Sequence, residues 1–459
     1  MRRWAWRLWR WLSPGTGLKR WVALAALGAG LSALGGWLWA RVAPGWGALA
    51  WAVGTAVVVA AVRRSVLAVA GALAPGQSRR LLDVMRQRRE RERGPRAVAL
   101  GGGTGLSTLL RGLKFHTDRL TAVVTVADDG GSSGRLRQEM GILPPGDVRN
   151  TLIAMADTEP LLERLFQYRF NRGEGLSGHS FGNLFIAAMS DITGDFQEAI
   201  RQFSRVLAVR GQVLPSTLCS VQLEAEFADG SRTVGESRIP RMRKPVAALR
   251  LIPPEVAAVP EAVEAIEGAD IVVLGPGSLY TSVIPNLLVR DLAEALRRTS
   301  ALRLYICNVM TQPGETDGYK ASDHLQAILR HGGPGIVDCV LVNNREVPEA
   351  LLQRYRLEGA QPVEPDTAAL REAGVVVITG PVISLTHLVR HDPLRLAEAV
   401  VALAALGRGF APAGSVLRLD EVLAMAQMRA HPLRLRGAAL AGPGTPAPTK
   451  SPGGGAPAG

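Results

Sequence analysis

The sequence predicts an α/β protein, a doubly wound and mostly parallel sheet preceded by a transmembrane helical hairpin. Three observations predict it. Two consecutive runs near the N-terminus carry no charge for about the length of a membrane crossing. Short apolar runs further along end in glycine-rich turns and lead into amphipathic helices. Several of those turns carry an acid or an amide where the strand would end, which is where such sheets bind ligands. With 459 residues and 47% hydrophobic content, the chain has ample material for the core this requires.

The apolar runs are residues 22–40, VALAALGAGLSALGGWLWA, and residues 42–62, VAPGWGALAWAVGTAVVVAAV. Each approaches the ~20 residues that span the hydrocarbon as a helix. All nine tryptophans fall at or before Trp51, several of them near the ends of these runs, where an indole prefers the headgroup layer. Arg2, Arg3, Arg7, Arg10, Lys19 and Arg20 precede the hairpin and Arg63 and Arg64 follow it, with Arg41 alone in the turn. Basic flanks remain inside, so both ends and everything beyond are expected in the cytoplasm. Residues 1–75 therefore read as a membrane anchor, with 66–74 too short to span and expected at the interface. Residues 76–95 read as a basic linker, either a solvated spacer or a contact for anionic lipid. Residues 437–459, rich in Gly, Pro and Ala, read as a disordered tail.

A net charge of +13 suggests nucleic acid until it is mapped. Residues 1–96 hold 17 of the 53 Lys and Arg and 3 of the 40 Asp and Glu, leaving 36 against 37 for the remainder. The main domain is nearly neutral, which argues against general DNA or RNA binding, and no nucleic-acid partner is expected. Three cysteines without paired spacing argue against a disulfide framework or zinc site and for a reducing compartment.

The first strand, AVAL from Ala97, runs into GGGTGLSTLLRGL, with Gly101, Gly102, Gly103, Thr104 and Gly105 opening a helix. No lysine follows to make a P-loop, and Leu106 stands where the last glycine of a dinucleotide fingerprint belongs. That gap counts against a nicotinamide dehydrogenase. Glycine still allows close backbone approach, and the free N–H groups at the helix start face an anion. The second strand, residues 120–127, delivers Asp128 and Asp129 before Gly130, Gly131, Ser132 and Ser133. One carboxylate there can take a sugar or base hydroxyl or a metal-bound water, while GGSSG offers donors to phosphate. D-D-G-G is also ordinary turn chemistry. Adjacent residues on extended chain face opposite ways, so Asp128 is expected nearer the ligand and Asp129 to shape the loop.

PPGDVRN then supplies Asp147 and Arg149, and GLSGHSFGNL supplies His179, Ser180 and Asn183 at a helix start. Residues 212–245 alternate apolar and polar and read as a β-hairpin insertion. GPGSLYTSVIPNLLV repeats the first step with Gly275, Gly277, Ser278, Tyr280 and Thr281, and ICNVMTQPGETDGY adds Asn308, Thr311, Glu315 and Asp317. VDCVLVNN and GVVVITG read as later strands, and 393–436 as a helical extension. Two glycine loops far apart in sequence imply one crevice at the carboxyl edge of a Rossmann-like sheet.

Six motifs in this order, GGGTGLSTLLRGLK, VTVADDGGSSGRLR, PPGDVRNTL, GLSGHSFGNL, GPGSLYTSVIPNLLV and ICNVMTQPGETDGY, closely resemble the YvcK-type gluconeogenesis factors. That group is related to 2-phospho-L-lactate transferase, the CofD family. The resemblance covers about residues 96–392 and implies a nucleotide-binding domain over that span. In the transferase branch, a phosphorylated three-carbon acid moves from a guanosine diphosphate carrier to an alcohol with Mg²⁺. Carried over, this gives the glycines and Thr104 at 101–105 phosphate contacts and Asp128 or Asp129 a metal or nucleoside contact, with Asp147 or His179 handling the acceptor proton.

In the gluconeogenesis-factor branch, members are linked to cell shape and gluconeogenic growth and bind UDP-sugars. The nucleotide-binding set then extends through Gly130, Gly131, Ser132, Ser133, Asn183, Gly275, Gly277, Ser278, Tyr280, Thr281 and Asn308. The expectation favoured is a membrane-anchored sensor that prefers a UDP-sugar to GDP. Substrate turnover, a requirement for Mg²⁺ and a homo-oligomeric state are left open.

Overall fold

The computed structural model describes residues 18–41, 44–73, 88–157, 160–385 and 389–430, and the chain divides into two compact units at Glu90. The first basic cluster, most of the linker and the C-terminal tail lie outside the described residues.

In the first unit, helices Leu18–Arg41 and Pro44–Leu73 pack along each other. They meet at glycines: a side chain on Gly28 would press on the Gly54 carbonyl, and one on Gly35 or Gly47 would strike the opposing backbone. Thr55 donates to the Trp51 carbonyl at 2.8 Å and lies 3.4 Å from the Ser32 hydroxyl. Segments Arg20–Arg41 and Pro44–Ser65 are long and apolar enough to cross a membrane. Their most apolar stretches are only 11% and 17% buried, far less than a core helix of a soluble domain would be.

The second unit is built on an eight-stranded sheet, with every pairing parallel. Its strands are β1 (Ala97–Gly101), β2 (Leu120–Val124), β3 (Gln212–Pro215), β7 (Ile271–Leu274), β8 (Leu302–Ile306), β9 (Cys339–Asn343), β10 (Val376–Gly380) and β13 (Val416–Arg418). The order is β13-β10-β9-β8-β7-β1-β2-β3. From β1 the sheet first grows one way through β2 and β3, then resumes on the other side with β7, so the winding reverses between β1 and β7. Alternate residues feed two cores: Val98 and Leu100 face one, Ala97 and Ala99 the other. Burial on both faces is why these strands read as continuous apolar runs.

The insertion differs from its predicted form. Residues 212–215 are the β3 edge of the main sheet, paired with β2, and the insertion is a three-stranded antiparallel sheet of β4 (Gln222–Phe227), β5 (Arg232–Val234) and β6 (Val246–Ile252) in the order β5-β4-β6. Alternation alone cannot tell where one sheet hands over to another. A small hairpin, β11 (Ile383–Leu385) with β12 (Val389–His391), and strand β13 had no sequence signal, because three residues carry no period. Beyond β12, helix Pro393–Leu406 is capped by Asp392, which accepts from the Leu394 and Arg395 amides. With β13 and helix Leu419–Ala430, it completes the sheet and its cover.

Candidate functional site

Both glycine loops leave the carboxyl edge at the reversal, after β1 and after β7, the position at which doubly wound sheets bind ligands. Gly102 is extended and caps helix Gly103–Leu113, and Gly103 begins it at φ +64°, a conformation that disfavours any side chain. Gly105 lies against the second loop so closely that a Cβ would sit 2.5 Å from the Pro276 carbonyl oxygen. Gly277 backs onto the Gly102 carbonyl in turn. Between the loops lies a cavity of about 210 Å³, lined by Gly102, Gly103, Thr104, Gly105, Thr108, Gly277, Ser278, Ser282, Asn308 and Gln312. Past Gly103, whose amide goes to Asp147, the helix's first amides have no intrahelical acceptor and belong to residues that line this cavity, an arrangement suited to an anion.

Arg390 and His391 of β12 close the far wall. Neither was foreseen, since no glycine turn or strand signal marks them. The His391 ring is buried with Nε2 3.2 Å from the Cys307 carbonyl, and burial pushes its pKa down to about 4, so the ring is neutral.

The two loops diverge after this contact. The second does not enter a regular helix: Leu279–Val283 forms one wide turn, with the Val283 amide on the Ser278 carbonyl, before the short helix Ile284–Leu287. Tyr280 and Thr281 are thereby turned inward. The Tyr280 hydroxyl lies 2.8 Å from that of Tyr319 and bonds the Val246 carbonyl, and Thr281 donates to Glu315. Gly101 and Gly275 supply backbone at the buried strand ends.

On the β2 side the crevice is acidic. Asp128 accepts from the Gly130 amide at 2.9 Å, and a Cβ on Gly146 would sit 3.0 Å from its other oxygen. Asp129 turns away and accepts from the Ser237 amide of the insertion at 2.8 Å. Asp147, in the first turn of helix Gly146–Met155, lies directly behind Gly102, where a Cβ would overlap its carboxylate, and it takes the Gly103 amide. Burial, then the charge of Asp128, raises the Asp147 pKa to about 7. Burial also raises Asp128, and with Asp128 and Asp147 it raises Glu236 to about 8. Glu315 rises to about 7 through burial, although Gln312 and Thr281 donate to it at 2.6 and 3.1 Å.

His179 is buried beneath this half. Its Nδ1 lies 2.9 Å from the Ser132 hydroxyl, which also accepts from Asn183, while Arg149 donates to Asn183 and Ser180. Burial lowers its pKa, and neighbouring Arg135 adds to the effect. The network braces the start of helix Gly131–Met140, on which Gly131, Ser132 and Ser133 sit. The crevice thus brings together Gly102, Gly103, Thr104, Gly105, Gly277, Ser278 and Asn308 in one half and Asp128 and Asp147 in the other. His179, Asn183, Ser132, Tyr280 and Thr281 are engaged with other protein groups. Among the described residues, no three His, Cys, Asp or Glu side chains form a preformed metal cage.

Comparison with known proteins gives a consistent family. Residues 97–383 match the family model described as 2-phospho-L-lactate transferase CofD. The gluconeogenesis factor of Halalkalibacterium halodurans is 52% identical over 305 residues, covering 66% of this chain and 95% of its own. That of Bacillus subtilis is 49% identical over 310 residues, covering 67% and 98%. A relative from a Nostoc species, which carries the same name provisionally, is 48% identical over 417 residues, covering 85% and 91%. That share exceeds the whole of residues 91–459, so the match reaches into the N-terminal unit. A crystal structure of a UPF0052 family member from Bacillus halodurans superposes with a TM-score of 0.65 at 52% identity, over 67% of this chain and 99% of that one. The reversal in strand order, the paired glycine loops and these matches agree, and the chain belongs to the gluconeogenesis factor family, built on a CofD-type domain.

Proposed function

We propose that the protein binds a nucleotide-sugar in the switch-point crevice, a UDP-sugar in preference to GDP, and acts as a sensor that adjusts cell shape and envelope-precursor supply during gluconeogenic growth. The observation that carries this reading is the meeting of two glycine loops over a cavity lined by backbone amides and hydroxyls, which suits a diphosphate. Calorimetric titration of the full chain in detergent with UDP-N-acetylglucosamine, GDP and NAD, with and without Mg²⁺, tests it. Binding of UDP-N-acetylglucosamine at least tenfold tighter than GDP is expected. Equal affinities, or NAD the tightest, would reject it.

A transferase of the 2-phospho-L-lactate type is the second reading, favoured by the family model that matches the domain. Asp128 and Asp147 are the hard-oxygen pair that fits Mg²⁺, which commonly takes one or two carboxylates and fills its remaining positions with phosphate oxygens and water. Bound there, the ion would neutralise charge on a departing diphosphate. His179, whose Nδ1 is engaged by Ser132, is poorly placed to take the acceptor's proton. Formation of a product from a nucleoside diphosphate-linked acid would decide for this reading.

The N-terminal hairpin is proposed to anchor the chain with its α/β domain in the cytoplasm. Arg20 before the first span and Arg63 and Arg64 after the second, against Arg41 between them, support that orientation. Cysteines introduced singly at positions 13 and 78, in a chain lacking the exposed Cys219, should resist an impermeant thiol reagent in intact cells. Labelling at either would reverse the topology.

A further inference from the structure

The turn that links β5 to β6 is fixed to the carboxyl edge at two places. Ser237 donates its amide to Asp129 on the β2 loop, and Gly314 on the β8 loop packs so tightly on the Pro240 carbonyl that no Cβ would fit. Between them Ile239 is fully buried in the core. The turn is therefore a fixed strap across the crevice, and it carries one inward carboxyl, Glu236.

The Glu236 side chain is half-buried, and among the described residues none donates a hydrogen bond to its carboxyl. The charges that act on it most strongly are acids, Asp128 and Asp147 first, then Glu315 and Asp129. A second carboxyl shares part of the deficit: Glu315 Oε1 accepts from Thr281 and Gln312, but Oε2, fully buried in a residue 2% exposed, has no hydrogen-bond partner among the described residues. Asp128, Asp129 and Asp147 each take a backbone amide, which leaves the Glu236 carboxyl and this one Glu315 oxygen short of donors, and such acceptors are costly unless something else supplies the donors. A diphosphate cannot, since it brings only acceptors and negative charge. A polyhydroxylated group attached to it can, because each hydroxyl can donate to a carboxyl oxygen.

We infer that Glu236 recognises the hydroxyl-bearing group that the ligand carries beyond its diphosphate, and so sets the preference for a nucleotide-sugar over the bare nucleotide. This rests on the nucleotide-sugar reading above. The division of labour is spatial: the phosphates occupy the glycine half, and the sugar lies beneath the strap in the acid half.

The test is the ratio of affinities for UDP-N-acetylglucosamine and UDP, measured on the full chain in detergent for the parent, Glu236→Ala and Glu236→Gln. Glu236→Ala should cut the preference for the sugar nucleotide at least tenfold while UDP binding holds, because the phosphates lie in the other half of the crevice. Glu236→Gln, which can still accept and donate, should restore most of the preference. UDP binding also reports that each variant is folded. An unchanged ratio, or an equal loss for both ligands, would overturn the inference. So would a loss seen only with Mg²⁺ and equal for both, which would give Glu236 to a metal. Failure of the parent to bind either ligand would instead remove the nucleotide-sugar reading itself.

Discussion

The two halves of the crevice are built by opposite means. In the glycine half, side chains are absent and backbone lines the cavity: Gly103 at φ +64°, Gly105 against Pro276, Gly277 against Gly102. In the acid half, carboxyls have been buried together, and Asp147, Glu236 and Glu315 hold their protons well above the ordinary range. The first half is sensitive to added volume and the second to charge and pH. Gly102 joins them, with the cavity on one side and the Asp147 carboxylate on the other.

The largest effect should come from adding volume where the loops touch. Gly105→Val would drive a side chain into the Pro276 carbonyl, which is backbone and cannot swing aside. Overpacking of this kind costs about 1–3 kcal/mol, and separating the loops should abolish nucleotide binding. Chemical denaturation and calorimetry of the same variant check both. A Gly105→Val protein of parental stability would mean that the loops are not held together as described.

The acid half should respond to pH. Its three raised carboxyls keep their protons in the folded chain to about 7 or 8, but release them near the ordinary 3.8 or 4.5 once unfolded. The folded state therefore binds more protons between these limits, so stability is greatest below about pH 4 as far as these groups are concerned and falls as pH rises to about 8. Asp147→Asn removes one of them while keeping an acceptor for the Gly103 amide. Thermal unfolding should show the variant more stable than the parent at pH 8, by on the order of 2 kcal/mol, and no more stable at pH 4. The same gain at both pH values would assign it to packing.

Intermediate in size is Gly103→Ala. The nearest atom to its Cβ would be the Ser282 hydroxyl at 3.7 Å, so there is room, but the positive φ costs about 1 kcal/mol in strain. The methyl would also stand beside the amides that face the cavity. A folded protein with roughly tenfold weaker UDP-sugar binding, equivalent to about 1.4 kcal/mol, is expected. Unchanged affinity would reduce this glycine to a turn requirement.

The same contrast explains how much could be read from the sequence. The glycine half was legible because a backbone-built site leaves its signature in residue type and in position after a strand. Gly102, Gly103, Gly105 and Gly277 all line the cavity they implied. The acid half was legible only where carboxyls also sit at strand or helix ends, as Asp128 and Asp147 do. Glu236 arrives on an insertion whose strands were misplaced, and Arg390 on a three-residue strand. Their relevance comes from packing between segments distant in sequence. Tyr280 and Thr281 fail in the opposite direction: they follow a glycine loop as Thr104 does, but the wide turn at Leu279–Val283 rotates them into the interior.

The smallest and most selective effect should distinguish the two adjacent acids. Asp128 lies near Asp147, whose pKa its charge raises, whereas Asp129 has its Oδ1 on the Ser237 amide and acts by holding the strap. Asp128→Asn leaves an oxygen to accept from Gly130 but removes a charge, and a neutral amide is a poor ligand for Mg²⁺. If Asp128 serves the ion, UDP-sugar affinity should lose its dependence on Mg²⁺ in this variant. If it serves a hydroxyl, the loss should be severalfold and the same in EDTA. Asp129→Asn can still accept from Ser237 and should bind as the parent does, while Asp129→Ala releases the strap and should lower affinity for the sugar nucleotide more than for UDP. Titration of all three variants with UDP-N-acetylglucosamine and UDP, in Mg²⁺ and then in EDTA, makes the comparison. Equal losses for Asp128→Asn and Asp129→Asn would show that the alternation of the chain does not separate their roles, and that the acid half responds only to its total charge.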